Sequence, residues 1–345
     1  MPYSFTKIEK DETHFIAIIF SFLILIYFVF IGVFFFVARN LFYLFWTLEE
    51  NNWDFTSLHG PILLNRTDFF LVIFLAILAA FIHWSITNNN LVFKLLNLLK
   101  AKPLDSADFK HKTLLNIIEE IKIATKQNIQ IEGFVIPTNA LNSFALTDFE
   151  GRTVIGVTQG LLDQLNRSQL EAVIAHEAAH IFTRDCLITT VACSFIGIYR
   201  ELFETTGDSL EGGMGLGLYA VFYYLAYFII LVISYFSYIM TYSMAMFIFR
   251  KRELRADAIA VRLSRDPLSL AEALFIINHS LYGSAVSGRN LNAIFIVNQK
   301  KPWLKEPEAA LVSSHPPLEQ RLKILLDMAH ADISLLQEKF LGRIY

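Results

Sequence analysis

The chain has 345 residues, 54% of them hydrophobic and 18% charged, with 32 phenylalanines and a net charge of -3. A mean hydropathy of +0.46 is too apolar for a water-soluble protein of this length and points to a membrane protein. So small a charge, with no basic stripe interleaved with aromatics, excludes nucleic acid as a partner, and two cysteines in one apolar stretch, Cys186 and Cys193, make neither a disulfide framework nor a thiolate metal site.

Residues 15–38 are 24 consecutive uncharged positions and read as a transmembrane helix, too long for a signal-peptide core and followed by no small-residue cleavage site. The aromatic-rich stretch 39–68 reads as a loop in the membrane interface, and residues 69–86 as a second span ending beside His83 and Trp84. Asn65-Arg66-Thr67 matches a glycosylation sequon, a pattern common by chance. Lys94, Lys100, Lys102, Lys110 and Lys112 follow, against only Arg39 and Arg66 between the spans, so the positive-inside rule places residue 87 onward in the cytoplasm. Residues 114–125 carry the helical period, with Glu119, Glu120 and Lys122 on a solvated face. Residues 129–135, 143–147 and 153–158 are short β-branched or aromatic runs separated by Pro137, Asn142, Asp148 and Gly151, and read as strands of a small sheet.

Ser168-Gln169-Leu170-Glu171 reads as a capping box opening a helix in which Leu170, Val173, Ile174 and Ile181 keep the helical period. On that helix lies His176-Glu177-Ala178-Ala179-His180. Positions i and i+4 fall about 40° apart on one face, so both imidazoles reach one tetrahedral ion. Glu177 stands beside them, placed to take a proton from water held at such an ion. The bland reading is a pair of surface histidines on a polar helix face.

Residues 186–199 are apolar for 14 positions, marginal for a span and equally readable as core. Residues 212–249 hold no charge over 38 positions; about 57 Å of helix exceeds a hydrocarbon core of about 30 Å, so one end projects beyond the membrane. Glu201, Glu204, Asp208 and Glu211 precede this span and Arg250, Lys251, Arg252 and Arg255 follow it, as an outward hairpin returning to the cytoplasm requires. Both termini are then cytoplasmic, with residues 39–68 and 200–211 outside. The helix is expected to run on to about residue 264, another to start at Pro267, and an amphipathic region to begin at Leu318. Between them, 283–314 reads as a long loop holding an apolar patch at 293–297. A catalytic zinc site needs a third protein ligand and one open position. Glu253 and Asp257 share a helix face and are candidates, although among arginines such a pair also describes a surface salt-bridge face.

Several of these stretches together resemble the HtpX-type membrane zinc metalloproteases, the group that includes the eukaryotic CAAX prenyl proteases. They are Asn142-Ser143-Phe144-Ala145, Thr158-Gln159-Gly160-Leu161-Leu162, residues 170–180, Arg252-Glu253-Leu254-Arg255-Ala256-Asp257 and His315-Pro316-Pro317-Leu318-Glu319-Gln320-Arg321, in this order and around a membrane hairpin. The resemblance covers roughly residues 114–330. It implies an α+β fold, with polytopic membrane helices and a gluzincin-type catalytic domain whose small sheet packs on the zinc helix and which a transmembrane hairpin splits. The segments would be 1–90 and 186–249 in the membrane, and 91–185 and 250–345 as catalytic halves. It further implies one zinc ion per chain on His176, His180 and Glu253, with Asp257 orienting a ligand histidine and Glu177 as general base. Asn142, Ser143, Phe144 and Ala145 would form an edge strand that pairs with substrate backbone, with His315 and Arg321 near the reacting carbonyl as oxyanion donors. Ser143 stands where the family usually has alanine, and the loop before His315 does not match.

The activity so implied is an endopeptidase acting on membrane or membrane-proximal polypeptides, in protein quality control. Its setting would be a bacterial inner membrane, the lipid bilayer its second partner, with the catalytic domain on the cytoplasmic side. A catalytically silent scaffold or transporter is the rival from another class; the near absence of ionisable groups in the long spans speaks against transport. A CAAX-type prenyl protease would be favoured by seven clear spans around a chamber, and three or four can be counted.

Overall fold

Phe5–Glu50 forms one helix, α1, because nothing in it breaks: it has no proline, and its lone glycine, Gly32, faces Val72. The interfacial loop expected from residue 39 is therefore helix as far as Glu50, with Asn40 donating back to the Phe36 carbonyl inside a turn. Aromatic content marks a depth in a bilayer; it does not end a helix. The structure, a computed structural model, describes residues 5–50, 65–125, 129–191, 252–280, 294–296 and 316–344, with scattered helical positions between 224 and 235. Cys193, the stretch 200–211, most of the expected span 212–249 and most of the loop 283–314 lie outside the described residues.

The chain divides into two units. Thr13–Asn89 and Ile198–Met240 make one; Met1–Glu12, Asn90–Gly197 and Thr241–Tyr345 make the other. In the first, helix α2 (Arg66–Asn88) starts at Asn65, whose side chain accepts from Asp68 N at 2.8 Å while Asp68 accepts from Asn65 N at 3.0 Å. The sequon asparagine is thus a helix cap, and Asp68 also pairs with Arg39. His83 Nδ1 lies 2.8 Å from the Tyr27 hydroxyl, so its partner is on α1. Arg66–Ile86 has a mean hydropathy of 2.5 and is 17% buried, long and apolar enough to cross a membrane. Phe70, Phe74 and Phe81 are 68%, 62% and 60% exposed, surface that a water-soluble core helix would have covered.

The second unit begins with helix α3 (Leu91–Leu99), a two-residue strand β1 (Lys102–Pro103) and helix α4 (Phe109–Thr125). Glu119 and Glu120 sit on the outer face of α4, paired with Lys122 and Arg167. Strands β2 (Ile131–Ile136), β3 (Ser143–Thr147) and β4 (Thr153–Thr158) complete a sheet of order β1-β2-β4-β3. β2 runs parallel to β4, and β3 antiparallel to β4, which leaves β3 at an edge. β1 contains Pro103 and sits at the opposite edge, where a missing N–H is tolerated. The β3–β4 turn closes on Asp148, whose side chain accepts from Glu150 N and Arg152 N, with Gly151 at φ +85°.

Helix α5 (Gln159–Gln164) leads into helix α6 (Arg167–Phe182). The capping box lies two residues before the expected one: Asn166 accepts from Gln169 N, and Gln169 accepts from Asn166 N. Asn is as good a cap as Ser, and with Asn166 as cap Gln169 occupies the third helical position that the box needs. α6 contacts β3, β4, α4 and the helix Pro267–His279, so it is buried around most of its circumference. Pro267–His279 opens on Asp266 with proline in its first turn, as the sequence predicts. Helix 252–264, the helix Leu318–Ala329 and the helix Ile333–Ile344 complete this unit, and the core is built from α4, the sheet, α6 and these later helices.

Gly156 on β4 pairs with Phe144 on β3, and a Cβ there would meet the Phe144 ring at 2.0 Å. Gly156→Ala is therefore expected to displace the ring and destabilise the fold by about 1 to 3 kcal/mol, the usual cost of overpacking. Thermal unfolding of the variant in detergent measures this; an unchanged melting temperature contradicts it.

Candidate metal centre

Two elements carry the donors. α6 presents His176 and His180 one turn apart, and helix 252–264 brings Glu253 to them. The two Nε2 atoms are 3.3 Å apart; Glu253 sets Oε2 3.6 Å from that of His176 and Oε1 3.4 Å from that of His180. Ligand atoms about 2.1 Å from a tetrahedral ion stand about 3.4 Å from one another, so this triangle fits zinc with its fourth position open. His176 and Glu253 are buried, which rules out a surface salt-bridge face.

Asp257, one turn beyond Glu253, places Oδ1 2.9 Å from His176 Nδ1. A neutral His176 with its proton on Nδ1, toward Asp257, would turn its Nε2 lone pair to the centre. Burial alone would push the Asp257 carboxyl up, but Arg321 and His176 draw it down to about 2. Arg321 is 1% exposed and grips Asp257 with two donors, Nε to Oδ2 at 2.8 Å and Nη2 to Oδ1 at 2.7 Å. Its Nη1 donates to the Ile296 carbonyl at 3.0 Å and lies 3.4 Å from Glu253 Oε2. Arg321, expected at the reacting carbonyl, is thus committed behind the donor residues. Three of its five N–H donors are thereby spent on Asp257 and the Ile296 carbonyl. His315 lies outside the described residues.

His180 has a carboxylate that the sequence did not single out. After α6 the chain turns through Arg184 at φ 58°, and Asp185 comes back to 3.9 Å from His180 Nδ1. Thr183 donates to Asp185 at 2.8 Å, and Arg255 pairs with it. Burial would raise this carboxyl; His180 and Arg252 draw it down to about 2.

Glu177, 2% exposed, accepts a hydrogen bond from Ser143 Oγ at 2.5 Å. Burial pushes its carboxyl up, and the two histidines and Ser143 draw it only partway back, so it stays above its ordinary value. A base raised toward neutrality is better matched to accepting and returning a proton. Ser143 is held in place because the Thr158 hydroxyl clamps the preceding residue, accepting from Asn142 N at 2.9 Å and donating to Asn142 O at 3.1 Å. The cavity beside the donors is walled by Ala145, Glu177, Arg252, Ile294, Phe295 and Ile296. Of the expected edge strand, Ala145 lines this cavity, Ser143 reaches Glu177, and Asn142 and Phe144 are buried.

Residues 108–329 match the family described as Peptidase family M48. A Protease HtpX homolog of Pyrococcus abyssi is 35% identical over 206 residues, covering 56% of this chain and 66% of that relative. The homologue of Persephonella marina is 35% identical over 208 residues, covering 57% and 68%, and that of Bacteroides fragilis is 27% identical over 237 residues, covering 65% and 70%. The match thus spans about two thirds of the length of these relatives. Among solved structures, the crystal structure of S. mikatae Ste24p aligns with a TM-score of 0.44 at 16% identity, covering 75% of this chain and 58% of that one.

Two outcomes are expected of this centre. Without metal, burial pushes His180 down but Asp185 and Glu253 more than offset it, raising the imidazole from 6.5 to about 10; His176 is also raised. Protonated His180 then contributes stability that is complete below about pH 6.5 and is lost as pH rises toward about 10. Metal requires neutral imidazoles, so binding should release protons and its affinity should climb across that window. Calorimetry in buffers of different ionisation enthalpy reads the release, and none at pH 7.5 contradicts it. Separately, Arg321→Met leaves Asp257 buried without its cation, and should cost about 3 to 5 kcal/mol in unfolding experiments.

Proposed function

The chain belongs to peptidase family M48, and from that membership we propose that it is a zinc-dependent endopeptidase embedded in the membrane. The observation that carries this reading is the triangle of His176, His180 and Glu253 with Glu177 on the same helical turn as the histidines. His176, His180 and Glu253 hold the zinc, one per chain. Bound there, zinc supplies Lewis acidity, which polarises a peptide carbonyl and acidifies the attacking water.

Glu177 takes the proton from that water and later delivers it to the leaving amine. The Ser143 hydroxyl, donating to Oε1, fixes the rotation of the carboxylate while it does so. Asp257 keeps His176 oriented, and Arg321 keeps Asp257 ionised by neutralising it. His315 or Arg321 is the oxyanion donor in this scheme. β3 aligns the substrate by backbone pairing.

The substrates are membrane or membrane-proximal polypeptides. The exposed phenylalanines of α2 support that reading, since they hold the protein where such substrates are. The setting is a bacterial inner membrane crossed several times, and the lysine and arginine distribution supports a centre on the cytoplasmic side.

The test is metal analysis of the purified full-length protein together with cleavage of casein and of a membrane protein. Wild type should carry zinc and cleave. Glu177→Gln should keep zinc and lose turnover, because the amide preserves shape without basicity. Glu253→Ala should be largely zinc-free, whereas Asp257→Asn should bind zinc about 10 to 100-fold more weakly. Near-normal turnover in Glu177→Gln would sink the mechanism, and full zinc in Glu253→Ala would sink the ligand set.

A further inference from the structure

Past α6 the chain turns through Thr183 and Arg184, and Arg184 takes a left-handed φ of 58° although its Cβ disfavours that conformation. The turn brings Asp185 back against the end of α6, where it is 3% exposed. Asp185 also opens the helical stretch 185–191, and the helix dipole alone would favour an acidic residue there. Its carboxylate, however, faces two arginines and an imidazole. Oδ2 accepts from Thr183 Oγ1 at 2.8 Å, pairs with Arg255 Nη2 and lies 3.9 Å from His180 Nδ1. Oδ1 lies 3.5 Å from Arg252 Nε.

Arg252 and Arg255 stand on either side of Glu253 in the chain. Positions i and i+3 share a helix face, and Glu253, one residue after Arg252, points about 100° further round. A carboxylate that holds both arginines therefore fixes the rotation of helix 252–264 about its axis, and with it the direction in which Glu253 points. Asp257 works in the opposite sense: it lies on helix 252–264 and reaches His176 on α6, whereas Asp185 follows α6 and reaches back to the helix of Glu253. Each imidazole thus has a buried carboxylate toward its Nδ1, and each of those carboxylates has an arginine, Arg321 for Asp257 and Arg255 for Asp185. The two sides are not equal. At 3.9 Å Asp185 is too far from His180 for a hydrogen bond, so it meets that ring as a charge, and its direct contacts are with the arginines.

Resting on the metallopeptidase reading, we propose that Asp185 is a positioning residue of the metal centre: through Arg252 and Arg255 it sets the helix that presents Glu253 to the ion. The two ligand-bearing helices are then locked on both sides of the donor triangle, by Asp257 at His176 and by Asp185 at His180.

The test uses the full-length zinc-loaded protein in detergent. Zinc affinity is read by competition with a chelator, and cobalt(II) exchanged for zinc gives a visible spectrum that reports the ligand geometry. Asp185→Asn keeps the shape and removes the charge; it should bind zinc about 10 to 100-fold more weakly, and its cobalt spectrum should differ from that of wild type. Arg255→Gln should weaken zinc binding in the same direction. The double variant should bind about as weakly as Asp185→Asn alone, because both substitutions break one contact. An ion pair that only stabilises the fold would lower the melting temperature and leave the zinc affinity and cobalt spectrum of Asp185→Asn unchanged; that result overturns the proposal. So do losses that multiply in the double variant. Should Asp185→Asn not fold, Arg255→Gln decides alone by the same two measurements, since the Arg255 side chain is 25% exposed and its replacement leaves less buried charge unpaired. Wild type that binds neither zinc nor cobalt sinks the metallopeptidase reading instead.

Discussion

The ion pair between Asp257 and Arg321 is the contact on which the centre depends. Two charges removed from water are costly, and only their mutual attraction with good geometry offsets it, so neither can be present without the other. Here the pair does more than balance itself. Asp257 lies 2.9 Å from His176 Nδ1 on α6, and Arg321 reaches the Ile296 carbonyl, so one guanidinium links helix 252–264, the helix Leu318–Ala329 and the segment 294–296 beside α6. Four carboxylates, Glu177, Asp185, Glu253 and Asp257, are buried around two imidazoles. Arg252, Arg255 and Arg321 offset part of that negative charge, and the rest falls either to protons on the histidines or to a divalent cation. The centre is thus electrically prepared for a cation.

What could be read from sequence was local. His176, Glu177 and His180 are fixed by helical spacing, which needs no knowledge of anything else in the fold. The strands 143–147 and 153–158 were legible because β-branched residues and turn residues alternate within a few positions. The start of α6 was misplaced because Asn166 and Ser168 are both good caps and each is answered three residues on, by Gln169 and by Glu171, so the local pattern does not choose between them. The length of α1 was missed for another reason: residues 39–50 carry aromatic belt composition, and composition reports surroundings while backbone breakers report helix ends.

The role of Arg321 was not legible, since a guanidinium can serve an oxyanion or a carboxylate equally well. Which it serves depends on a helix that arrives 64 residues after Asp257 in the chain. Asp185 was missed because its approach to His180 passes through a left-handed residue, Arg184, that carries no glycine to announce it. The patch at 293–297 was visible as apolar, yet its partner, the edge of β3, is about 150 residues away and leaves no local trace.

Because the second unit is assembled from chain on both sides of residues 198–240, its centre is completed only after that stretch has been made. A nascent chain that has reached His180 holds two donors; Glu253 comes 73 residues later, about 4 to 15 seconds of translation. Asp257 and then Arg321 come later still, so the buried carboxylate waits for its cation while 64 further residues are made. A chain that has not yet reached Arg321 therefore lacks the buried ion pair that sits behind His176 and Glu253. The order of synthesis thus separates the making of the two imidazoles from the making of the carboxylate and the cation that complete their surroundings.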